Sequence, residues 1–308
     1  MSDLIETGGT VQMSPGEWTI NNWLKKVGQG SLAGLEHGRS AGYVPPSCLL
    51  EDTPLRSALL KEYSFKALSE KQATISICQL VRLITRHEDF EYWMTQIFDE
   101  ARHTAAFRHH LVTLGIAESD TVDRLIEEVN HSVWREIITP LQAFWEHYVD
   151  NTGMESGYAC GVAIVSIVLE GILAPSAELG ERKWRPFDQG TAQVQHFANV
   201  DEIRHLAVCA DIVRREIHAS DRVRKDVTEC VQEGLRLWER LPVGEMMMGR
   251  ELDYQAGMER FAELARDYYL DANLPLLKSS PEQRIELATK WSHELQYARM
   301  ADIGLILD

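Results

Sequence analysis

The string D-E-x-R-H occurs twice in this chain, as Asp99-Glu100-Ala101-Arg102-His103 and again as Asp201-Glu202-Ile203-Arg204-His205. In a helix, residues three apart project from one face, so Glu100 with His103, and Glu202 with His205, can each grip one metal ion. A lone E-x-x-H on an amphipathic helix is usually surface chemistry, but two identical pentads about a hundred residues apart are a stronger signal. Two such half-sites demand a bundle of four helices, with one further carboxylate from each of the other two.

The spacing supplies both carboxylates. Glu170 lies 32 residues before Glu202 and Glu70 lies 30 before Glu100, so E-x(29)-E-x-x-H returns as E-x(31)-E-x-x-H. Glu170 is also the one charge in the twenty-residue run 158–177, otherwise rich in Ala, Val, Ile and Leu. A buried carboxylate without a partner costs roughly several kcal/mol, so Glu170 needs a proton, an ion pair or a metal. A run of this length could span a membrane, but its central carboxylate, charged flanking helices and lack of a second apolar span read as a core helix. Glu62 competes with Glu70. With a turn centred near His87, Glu62 would sit roughly 12 Å further from the level of Glu100 at 1.5 Å per residue, so Glu70 is the better fit. Each pentad also carries an Asp before the Glu and an Arg before the His. Asp99 and Asp201 can accept the free ring N–H of a ligand His, braced by Arg102 and Arg204; surface ion pairing is the plainer alternative.

Apolar residues recur at helical spacing over 53–86, 90–114, 191–219, 221–240, 245–270 and 281–303, and 120–150 reads as further helix, bent or broken at Pro140. No alternating strand pattern is present, so the chain is expected to be all-α. Residues 1–52, rich in Gly, Ser and Pro, read as an irregular extension, and 53–308 as a single helical domain with the metal-binding core over about 53–215. The balance of 31 Lys and Arg against 47 Asp and Glu leaves a formal charge of −16, which repels a polyanion, so nucleic acid is not an expected partner. Five scattered cysteines without a C-x-x-C pair and an N-terminus without an export signal point to a reducing cytoplasm. No G-x-G-x-x-G or P-loop pattern indicates a flavin, nicotinamide or nucleotide site.

Glu70, Glu100-x-x-His103, Glu170 and Glu202-x-x-His205 together resemble the ligand set of the ferritin-like non-haem diiron carboxylate proteins. That resemblance implies a ferritin-like four-helix bundle core with additional C-terminal helices. It also implies two iron ions, manganese being compatible with the same hard donors, and O2 as co-substrate. Departures narrow the expectation. Phe107 stands where radical-generating reductase subunits carry Tyr, and Ala174 where multicomponent hydroxylases carry Thr. Ala198 stands where arylamine N-oxygenases add a His, with His196 displaced off that face. Six ligands are therefore expected. Size and layout are similar to the small natural-product N-oxygenases of the azoxy-forming, valanimycin type, which implies oxidation of nitrogen in a small amine, hydroxylamine or hydrazine in antibiotic biosynthesis. The alternatives are a diiron desaturase or hydroxylase acting on carbon, or an iron-storage protein. The expected partners are a small-molecule substrate in an apolar pocket lined by Phe107, Leu173 and Leu206, an external electron donor, and a second copy in a homodimer, with no membrane.

Overall fold

The structure, a computed structural model, describes residues 3–151 and 154–305. Helix α1 (Pro54–Val81) opens where the Thr53 hydroxyl accepts the Arg56 N–H and Pro54 presets the first turn. It ends at Val81, five residues short of the expected Arg86, and a connection over 82–86 leads into α2 (His87–Thr113). Gly115, at φ +62°, stops α2 in a left-handed conformation that costs a glycine little.

The second hairpin joins α3 (Ser156–Trp184) to α4 (Gln189–Ala219). The Asp188 carboxylate caps α4 by accepting from the Gly190 and Thr191 N–H groups. Although α3 is long and apolar enough to cross a membrane, 78% of its apolar window is buried inside the protein, among side chains such as Val208, Ile212, Val227 and Val231. Its residues Ile164–Leu169 are wound as a π-helix immediately before Glu170. Such an overwide turn places the next side chain at a rotation a regular helix would not give it, and such turns recur at functional sites.

Around these hairpins, α5 (Asp221–Arg240) packs on the first half of α3, α6 (Val243–Arg260) on α1, and α7 (Pro281–Ile303) on the second half of α3. The bounds of α5 and α7 coincide with the spacing-based expectation. Helix α6 stops ten residues early, and a short 3-10 turn (Ala262–Ala265) then leads to a hairpin of Tyr269–Asp271 with Leu274–Pro275. Between the hairpins, the segment expected as helix bent or broken at Pro140 is broken into several pieces. Pro140 lies in the first turn of Thr139–Trp145, directly after a π-turn at Trp134–Ile138 that absorbs its missing donor.

Residues 1–52 differ from the irregular extension expected. Among the described ones, short helical pieces at Leu4–Thr7, Pro15–Trp18, Ile20–Trp23, Leu24–Ser31 and Ser47–Leu50 alternate with a hairpin of Leu35–Glu36 and Arg39–Ser40. Leu4, Trp23, Val27 and Leu49 are buried against the bundle. These pieces are too short to be stable alone, so tertiary burial rather than local periodicity holds them.

Candidate metal centre

The four central helices bring Glu70 (α1), Glu100 and His103 (α2), Glu170 (α3), and Glu202 and His205 (α4) to one level. Glu70 stands eleven residues before the end of α1 and Glu100 thirteen after the start of α2, so the early end of α1 brings them opposite each other. His103 Nδ1 lies 3.7 Å from Glu70, 3.8 Å from Glu100 and 3.8 Å from Glu202. His205 Nδ1 lies 3.2 Å from Glu100, 3.6 Å from Glu202 and 4.0 Å from Glu170. The donor atoms fall into two sets, each within 4.8 Å: Glu70, Glu100, His103 and Glu202, and Glu100, Glu170, Glu202 and His205. Glu100 and Glu202 belong to both sets, which the pentads alone did not reveal.

The donor set fits a pair of metal ions. Both Nδ1 atoms, Glu170 Oε2 and Glu202 Oε2 are buried without a hydrogen-bond partner. Burial and the neighbouring Glu100 push the Glu70 carboxyl up to about 8, and burial and Glu202 push Glu170 well above the usual range. Burial also opposes the ionisation of Glu100, but the His103 and His205 imidazoles beside it hold it well below that range. Four carboxylates and two imidazoles crowded in the interior are costly unless cations neutralise them, and oxygen-rich donors of this kind suit iron or manganese.

Behind the histidines, the two pentads brace each other crosswise. His103 Nε2 is 3.2 Å from Asp201, to which Arg102 also donates, and His205 Nε2 is 3.6 Å from Asp99, to which Arg204 donates. Arg204 also reaches Asp201 at 2.9 Å. Each Asp therefore faces the histidine of the other pentad, an arrangement that a reading within one helix could not show.

Several residues at the centre carried no motif. Gln96 donates to Glu170 at 2.8 Å and is in turn the acceptor for the Tyr92 hydroxyl at 2.6 Å. Its position four residues before Glu100 is the one signal that could have found it. Trp23 donates from Nε1 to Asp99 at 2.9 Å, and Arg204 stacks 4.9 Å from the Trp18 ring. Nothing in the spacing of residues 1–52 marks either tryptophan.

A cavity of about 130 Å³ adjoins Glu70, Glu100, Glu170 and Glu202, and Phe107, Leu173 and Ala174 line it. Leu206, expected beside them, is not in that wall; fully buried, it packs with Leu4, Ala174 and Leu295. One residue beyond His205 it is turned about 100° around α4, away from the bundle axis. Glu62 also stands apart from the centre, 3.5 Å from Lys183 and accepting from Trp184 at 3.2 Å. Glu178 pairs with Arg182 at 2.7 Å, and His196 lies 3.3 Å from Glu181.

No family model and no curated protein matches the sequence. Among solved structures, the chain is similar to an R2-like ligand-binding oxidase, a mutant with an aerobically reconstituted Mn/Fe cofactor. The TM-score is 0.56 at 18% identity, over 96% of this chain and 90% of that one. Likeness at this identity speaks for the fold: the chain is an all-α, ferritin-like helical bundle.

Proposed function

We propose that the protein is a two-metal, O2-dependent oxidase of a small organic substrate, with Glu70, Glu100, His103, Glu170, Glu202 and His205 as its ligands. The carrying observation is the pair of overlapping donor sets, with both Nδ1 atoms unpartnered, on the wall of a largely apolar cavity. The Mn/Fe cofactor of the structurally similar oxidase agrees with this reading.

Iron or manganese bound here would supply the redox equivalents and the oxygen-binding positions. Glu100 and Glu202 would serve both ions, while Glu70 and Glu170 would serve one each. Asp201 and Asp99 face the Nε2 atoms, which favours a proton on that nitrogen and leaves Nδ1 free to ligate. Arg204 and Arg102 lie beside Asp201; burial opposes its ionisation, but these cations and the His103 hydrogen bond hold its carboxyl far below the usual range. Gln96 orients Glu170 through its amide N–H. With no nucleotide or flavin motif in the chain, electrons come from a separate donor or from the substrate itself.

The finer part of the proposal is that nitrogen is the atom oxidised. Phe107 and Ala174 present apolar surface to the cavity where hydroxylating and radical-generating enzymes carry a hydroxyl. A nitrogen lone pair is easily oxidised and needs little proton delivery. Anaerobic reconstitution should load two Fe(II) per chain, and exposure to 18O2 with candidate amines, hydroxylamines or hydrazines should place label on nitrogen. Label on carbon would refute the nitrogen assignment. Iron uptake without turnover of any organic compound would favour storage.

A further inference from the structure

On one side of the metal ligands the cavity wall carries three buried polar side chains from three helices: Lys66, one turn before Glu70 on α1; Gln195, seven residues before Glu202 on α4; and Arg250 on α6. All three are more than nine-tenths buried. Among the described residues the Lys66 ammonium forms no hydrogen bond and no ion pair within 4.0 Å; it stands 5.6 Å from the centre of the Phe107 ring. Arg250 Nε lies 3.8 Å from Glu62 and 3.6 Å from Glu251 but hydrogen-bonds to neither, and neither amide atom of Gln195 has a close hydrogen-bond partner, the Tyr63 hydroxyl being its polar neighbour.

The local charges do not cancel. Glu251 is engaged by Lys183 and Arg284, and Glu62 by Lys183 and the Trp184 N–H. Counting Glu70, which also acts on Lys66, three carboxylates, Glu62, Glu70 and Glu251, thus stand among four cations, Lys66, Lys183, Arg250 and Arg284. Positive charge in excess beside an apolar cavity, with the Lys66 ammonium hydrogen-bonded to no protein acceptor, is unfavourable until an anion arrives. A lysine buried for stability would be paired, and Lys66 is not. Burial accordingly brings its ammonium down to about 8, with Glu62 opposing the shift.

Building on the oxidase reading above, we infer that Lys66, Arg250 and Gln195 form a recognition subsite for a carboxylate, and that the substrate is a monocarboxylic acid with a largely apolar body. The anion sits at this subsite and the body runs along the cavity toward the metal ligands. At 1.5 Å rise per residue, Lys66 is roughly 6 Å from the level of Glu70 and Gln195 roughly 10 Å from that of Glu202. The reacting atom therefore lies about four to eight bonds from the carboxylate at these spans. A singly charged group is favoured over a phosphate. Glu62 Oε1 and Gln195 Oε1 crowd one point beside Gly180, where an added Cβ would meet them at 2.4 and 2.1 Å, so a second negative charge would face Glu62.

The test is calorimetric titration of the anaerobic, Mn(II)-loaded protein with octanoate and with 1-octanol. Octanoate should bind at least tenfold more tightly than the alcohol. Lys66→Met and Arg250→Gln should each weaken octanoate at least tenfold while leaving 1-octanol affinity and metal content unchanged, and Lys66→Arg should retain binding. Because Lys66 also helps to hold Glu62 ionised, the retained 1-octanol affinity and metal content of Lys66→Met, rather than its melting temperature, show that lost octanoate binding is not lost folding. Equal affinity for acid and alcohol in the parent would overturn the proposal. So would undiminished octanoate affinity in Lys66→Met with a perturbed Mn(II) resonance spectrum, which would put the carboxylate on the metals. Failure of the parent to hold two metals would count against the oxidase reading alone, since the same titration of the metal-free protein still reads the subsite.

Discussion

Glu170 and Glu178 lie eight residues apart on the same helix and should respond to alanine in opposite ways. Glu178 is fully buried, 2.7 Å from the nearly fully buried Arg182. Removing one partner of such a pair costs about 3–5 kcal/mol, because the other charge stays in the interior. Glu170 has one oxygen without a partner, and burial together with Glu202 pushes its carboxyl well above the usual range in the metal-free protein. Its removal forfeits the Gln96 hydrogen bond, about 1 kcal/mol, and relieves crowding of similar size. At about 2.1 cal/mol/K per residue, the unfolding entropy of 308 residues converts each kcal/mol into roughly 1.5 °C of Tm. Glu178→Ala should therefore melt about 5–8 °C below the metal-free parent, and Glu170→Ala within about 2 °C of it. Metal reverses the order. Two sites filled at a thousand times their Kd add about 8 kcal/mol, a rise of roughly 12 °C in the parent and in Glu178→Ala, whereas Glu170→Ala should gain less than half of that. Scanning calorimetry with elemental analysis reads both quantities. The reasoning is refuted if Glu170→Ala still loads two metals with the parent's rise, or if Glu178→Ala loses metal without a fall in melting temperature.

Asp201→Asn and Asp99→Asn should each weaken metal binding or turnover by about 10–100-fold. The larger effect is expected at Asp201, which lies 3.2 Å from its histidine against 3.6 Å for Asp99; equal metal titrations for parent and both variants would reduce these residues to bystanders. Trp23→Phe strips a donor from buried Asp99 and should cost about 1–3 kcal/mol by urea unfolding, so an unchanged midpoint would mean the N-terminal segment does not brace the centre. Burial opposes the ionisation of Glu62, but Lys183, Arg250 and Lys66 hold its carboxyl down at about 2. The resulting stabilisation is present above the unfolded value near 4.5 and is lost as pH falls from there toward 2. Unfolding free energy should thus drop by up to about 3 kcal/mol from this group over that window, and Glu62→Gln should flatten the profile there. Leu206→Ala should cost about 2–5 kcal/mol as a core cavity while leaving octanoate affinity unchanged, whereas Phe107→Ala should alter that affinity.

Helical spacing is a local property, so the pentads, the lone glutamate of the apolar run and the apolar periodicity of the long helices could be read directly from residue order. From them followed the all-α bundle, the level of Glu70 and the near-exact bounds of α5 and α7. The distance of Glu70 from Glu100 along the chain was legible too, though not that a five-residue connection would shorten α1 to align them. Contacts between helices were a different matter. The crossing of Asp99 to Arg204 and of Asp201 to His103, the sharing of Glu100 and Glu202, and the turn of Leu206 into a separate core cluster depend on how α2 and α4 are rotated against each other. That rotation is settled by packing over the whole bundle, including the π-wound turn before Glu170. The N-terminal pieces that carry Trp18 and Trp23 to the centre were hidden for the same reason: a four-residue helix has no periodicity to read, and only burial against a finished surface makes it stable.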